Sequence, residues 1–86
     1  MPTISKFFGI LIQMYYDDHN PPHFHAIYGD EHILISIEDL SVIAGKLTPR
    51  ALGLVIEWAS NHKDELMKDW ELARQKQPLF SINPLN

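Results

Sequence analysis

Four of the chain's five histidines lie between Tyr15 and His32, in the run YYDDHNPPHFHAIYGDEH, together with Asp17, Asp18, Asp30 and Glu31. One chemistry open to such a set is cation binding, in which imidazole nitrogens and carboxylate oxygens hold a divalent ion. His23 and His25 are two residues apart, so on a strand both rings project to one side and can converge on a single ion. Either His19 or His32 supplies a third nitrogen, and Asp18 or Asp17 an oxygen. Three imidazoles with one carboxylate or water suit Zn²⁺, whereas six-fold coordination suits Mn²⁺ or Fe²⁺.

A second chemistry needs no metal. His23 and His25 act as general base and acid in cleaving an RNA phosphodiester, since an unperturbed imidazole titrates near neutrality. Lys46 and Arg50 are then the cations that stabilise charge on the transferring phosphate. The four carboxylates of the run oppose this reading by repelling phosphate. A third reading involves no reaction: His25 and His32 are half-buried strand residues, His19 and His23 decorate a turn, and the chain binds a partner protein. Tyr15, Tyr16, Phe24 and Tyr28, or an edge strand, are then the contact surface.

The elements that would position these residues follow from pattern. A nearly continuous apolar run predicts a strand over Phe8–Tyr16, covered on both faces. DDHNPP interrupts it, because proline removes a backbone donor and restricts the residue before it. Two alternating runs, His23–Tyr28 and Glu31–Glu38, flank Gly29-Asp30, a pair suited to a two-residue hairpin turn. That turn sets Tyr28 opposite Glu31, Ala26 opposite Ile33 and Phe24 opposite Ile35, a mostly apolar face directed to the core. The opposite face carries His23, His25 and Ile27 against Ser36, Leu34 and His32, which predicts three imidazoles on one water-accessible patch.

A further strand is expected over Val42–Leu47 after a turn at EDLS. Thr48-Pro49 reads as a helix start, with threonine accepting from an early N–H and proline at the first helical position. From Pro49 to about Ser60 the apolar residues Leu52, Val55, Ile56 and Ala59 keep helical spacing. Asn61 either caps a second helix through HKDELMKDWELARQ or lies within one bent helix. The KQPLFSINPLN tail is extended at most. The expected fold is therefore α+β: a small, mainly antiparallel sheet of about four strands, covered by one or two C-terminal helices.

With 86 residues, the chain forms a single domain spanning 1–86, since two halves could not each bury an adequate core. It has no cysteine, so a metal must use nitrogen and oxygen ligands and no thiol can act as a nucleophile. A formal net charge of −4 disfavours non-specific nucleic-acid binding, which needs a basic footprint, and leaves RNA dependent on a local patch at Lys46 and Arg50. The N-terminal apolar run is about half a bilayer span and lacks a cleavage motif, so the expectation is a cytoplasmic protein without membrane contact.

The stretches MPTISKFFGILIQMYY, DHNPPHFHAIYG, GKLTPRAL and EWASNHKDELMKDWELA together resemble the bacterial family of domain of unknown function 4160. DHNPPHFH is the most specific of them. The resemblance implies pairing with a second small protein encoded nearby, in settings like those of toxin–antitoxin modules. It assigns no catalytic residue.

Overall fold

The computed structural model describes residues 2–86. Five strands form one antiparallel sheet in sequential order: β1 Thr3–Phe7, β2 Ile10–Gln13, β3 His23–Tyr28, β4 Glu31–Ser36 and β5 Val42–Lys46. Helices α1 Pro49–Ser60 and α2 Lys63–Arg74 follow. Neighbouring strands are thus also neighbours in sequence, and every connection is a hairpin or a short loop. No helix among the described residues is long and apolar enough to cross a membrane.

The first expected strand, Phe8–Tyr16, is cut back to Ile10–Gln13, and a separate strand, Thr3–Phe7, precedes it. Phe8-Gly9 reverses the chain, with φ of 50° and 80°, so that Phe7 pairs with Ile10. The uninterrupted apolar run concealed this turn, because left-handed turn positions normally carry Gly, Asn or Asp and here the first is phenylalanine. The central hairpin has the expected register: His23 faces Ser36, Phe24 Ile35, His25 Leu34, Ala26 Ile33, Ile27 His32 and Tyr28 Glu31. A two-residue turn leaves no freedom for slip once one face is apolar.

Phe24, Ala26, Ile33 and Ile35, all 1% exposed or less, point inward with Ile10 and Ile12 of β2. Val55, Trp58 and Ala59 of α1 cover them, with Trp58 packed against Phe7 and Phe24. The helical region is two helices: Asn61 ends α1 and His62 begins α2. The expected threonine cap is absent. Thr48 instead donates its N–H and hydroxyl to Glu31 Oε1, at 2.6 and 2.7 Å, tying the start of α1 to the central hairpin. The tail forms neither helix nor strand and has a role: Ile82 N–H donates to Ile4 O, and Asn83 O accepts from the Trp58 indole.

Candidate metal centre

Alternation along β3 turns His23 and His25 away from the Phe24 face, and β4 brings His32 alongside. The rings form one chain of contacts: His23 and His25 centroids are 5.2 Å apart, His25 and His32 5.1 Å. The gathering matches expectation, but the exposure does not. His23 and His25 are each only 5% exposed, while His32 is open to solvent. Tyr15 stacks on His25 at 4.1 Å and 14°, and Trp70 of α2 packs against His23 at 5.2 Å. The loop after β2 is itself anchored to α2 by the Asp17 N–H, which donates to Ala73 O.

That loop delivers Asp18. Its Oδ2 lies 3.0 Å from His23 Nε2 and 3.4 Å from His25 Nε2, and its Oδ1 accepts from the His19 N–H at 2.8 Å. Burial acts to raise the Asp18 pKa, but the His19 N–H, the His25 hydrogen bond and the neighbouring imidazole charges outweigh it and leave the carboxyl below its ordinary value. His25 is shifted down, first by burial and then by His23 and His32, against the upward pull of Asp18. A lowered value keeps this ring in the neutral form that ligates metals.

The remaining nitrogens show how the rings are aimed. His23 Nδ1–H donates to Pro21 O at 2.8 Å, so in the neutral ring Nε2 is a bare lone pair facing a carboxylate oxygen. His25 Nδ1 shares a hydrogen bond with His32 Nε2 at 2.9 Å, and when His25 is the donor its Nε2 lone pair also points at Asp18. Two lone pairs and an anion facing one another require a positive charge between them, a proton or a metal. Metal-bound histidines characteristically donate their other ring N–H to a carbonyl or another acceptor, as His23 does to Pro21 O and as His25 does to His32 in the tautomer that leaves its Nε2 bare.

The dimensions suit an ion. One ligand atom from each of Asp18, His23 and His25 lies within 4.8 Å of the other two. Bonds of about 2.0–2.1 Å in tetrahedral geometry place ligand atoms about 3.3 Å apart, and the two edges at Asp18 Oδ2 are 3.0 and 3.4 Å.

The other expected site residues are dispersed. The His19 side chain is exposed, and only its backbone touches the group. His32 lies one ring further out, against His25 Nδ1. Lys46 is the β5 partner of His32, so it shares the histidine face at its open edge. Arg50 instead lines a cavity with Ile10 and Tyr28, side chains of the opposite face. Trp70, Tyr15 and the Pro21 carbonyl were not legible as site components, because each reaches the rings only through tertiary packing. Gln13, the β2 partner of His25, has a buried Oε1 without a hydrogen bond, and only the β2–β3 register could have located it.

No curated protein and no solved structure gives a significant match to this sequence. A family model described as Domain of unknown function (DUF4160) matches residues 9–71. That stretch contains the Asp18 loop, the histidine hairpin, β5 and Trp70. Matched over most of its length, the chain belongs to the DUF4160 family.

Proposed function

We propose that this chain is the metal-binding member of a cytoplasmic, toxin–antitoxin-like two-protein module, with one divalent cation held by Asp18, His23 and His25. The supporting observation is the aim of the two rings: each Nδ1 is engaged by a neighbour, Pro21 O or His32, while both Nε2 atoms face one Asp18 oxygen. His32 acts as the outer partner that orients His25. Three protein ligands leave a position for water, the arrangement typical of hydrolytic zinc sites. Lys46, paired with exposed His32 across β4 and β5, is the candidate to attract an anionic substrate such as an RNA phosphodiester. The module assignment rests on the family resemblance.

Metal analysis of protein purified without an affinity tag tests the centre. One equivalent of Zn, Mn or Fe is expected in the wild type, and none in Asp18→Asn or His23→Ala. A wild-type chain that carries no ion and takes up none on addition overturns it. For the reaction, induced expression should arrest growth with loss of RNA, and His23→Ala should abolish both. The near-complete burial of His23 and His25 favours a second reading, in which the centre is structural and the chain acts by binding its partner protein. Stoichiometric metal with intact RNA and co-purification of the neighbouring gene's product would decide for it.

A further inference from the structure

Beside the Phe8-Gly9 turn lies a cavity of about 460 Å³, within the range of small-molecule sites. It opens on the sheet face opposite the imidazoles, since Tyr28 alternates with His25 along β3. Its buried lining is apolar: Ile10 is 0% exposed and Ala51 3%, with Leu54 beside them. Arg50 is the single charged side chain of the lining. Among the described residues Arg50 makes no ion pair. The nearby Glu31 carboxylate is already engaged through Oε1 by Thr48, with Lys46 adding positive charge beside it.

Phe8 and Tyr28 flank this space and are among the most exposed large apolar residues, at 59% and 40%. Phe8 is an expensive residue where it stands. Its backbone lies in the left-handed region at φ 50°, where glycine or asparagine is favoured, and its ring is left in water. Neither cost is recovered within the core. Covering a ligand would recover the second, since the ring would then exchange water for apolar contact.

We propose that this cavity binds a small carboxylic acid with an aromatic or branched aliphatic body. Arg50 pairs with the carboxylate, a contact the guanidinium fork favours, while Phe8 and Tyr28 cover the body. The proposal is independent of the metal centre, which lies on the other face.

Titrating 3-phenylpropionate and its neutral amide into isotope-labelled protein, followed by amide chemical shifts, tests it. The acid should move Gly9, Tyr28, Arg50 and Ala51 saturably and bind about tenfold tighter than the amide, the discrimination expected from one charged hydrogen bond. Arg50→Gln should erase that difference. Phe8→Gly, which suits the turn better, should weaken both ligands with the melting temperature kept or raised. Equal binding of acid and amide, no saturable shift at millimolar acid, or shifts confined to another surface would overturn the proposal. A peptide ending in phenylalanine that binds tenfold tighter than the free acid would overturn the small-molecule assignment.

Discussion

Replacing Asp18 by asparagine separates a metal centre from a simple ion pair, because an ion pair loses most of its stabilisation in metal-free protein, whereas a metal centre loses its response to zinc. The change keeps the side chain's shape and its Oδ1 acceptor for the His19 N–H. It substitutes an NH₂ donor for the oxygen that faces His23 Nε2 at 3.0 Å and His25 Nε2 at 3.4 Å. With Nδ1 of His23 already donating to Pro21 O, that NH₂ meets an acceptor, and a neutral hydrogen bond contributes about 1 kcal/mol net. The proton shared by His25 and His32 can move to suit. The lowered pKa of the Asp18 carboxyl means that its charge stabilises the metal-free fold at neutral pH, and the neutral hydrogen bond replaces part of that, so metal-free Asp18→Asn should fall below metal-free wild type by no more than about 1 kcal/mol.

Zinc should separate the two proteins much further. At free zinc a hundredfold above Kd, binding stabilises the folded chain by about 2.7 kcal/mol. Each kcal/mol moves the melting temperature of a domain this small by about 4–8 °C, so wild type should gain about 10–20 °C and the variant almost nothing. Thermal unfolding by circular dichroism, with chelator and then with zinc, measures both quantities. Two results would refute the reasoning: a zinc shift retained in the variant, or a metal-free variant weaker by about 2 kcal/mol or more. The latter loss is that of a carboxylate–imidazolium hydrogen bond.

Three other outcomes test the surrounding fold. Asp69 is fully buried, with Oδ1 accepting from Phe80 N–H and Oδ2 without a partner, and its pKa is raised by burial, opposed by the Phe80 N–H and reinforced by Glu65. Its raised folded value means that its stabilising contribution is fully present below the unfolded pKa of about 4 and is lost as pH rises through the folded value. Asp69→Asn should then be more stable than wild type in urea at pH 7, with the difference shrinking as pH falls from the raised folded value towards about 4. Gly45→Ala should cost at least about 2 kcal/mol by urea denaturation, since the residue has φ 79° and a Cβ there would lie 2.1 Å from His32 O. Trp58→Phe removes the indole donor 2.7 Å from Asn83 O, and should cost about 1–3 kcal/mol and increase amide exchange in the tail around Ile82.

The sequence by itself determined the elements whose signals are local. Gly29-Asp30 between two alternating runs specified the hairpin and its register, and so placed His23, His25 and His32 on one face, because side-chain alternation leaves a single arrangement with Phe24, Ala26, Ile33 and Ile35 inward. Thr48-Pro49 marked the start of α1 for a similar reason: proline's fixed φ and missing N–H suit only the first helical turn. Asp18 was legible as a candidate ligand by residue type alone.

Tertiary structure decided what those faces meet. The docking of α2 places Trp70 on His23, and the loop held to Ala73 folds Asp18 back over the rings. These contacts bury two imidazoles expected to face water and leave His19 outside the group. Arg50 was separated from Lys46 in the same way, since one follows the helix on the core side and the other ends a strand on the histidine side. Phe8-Gly9 shortened the expected Phe8–Tyr16 strand and set another before it, because an apolar residue occupies a turn position and only strand pairing exposes the reversal. Periodicity reports which way a side chain points from its own element. Which group stands opposite depends on packing between elements distant in sequence, and it is that packing which sets the distances of the candidate centre.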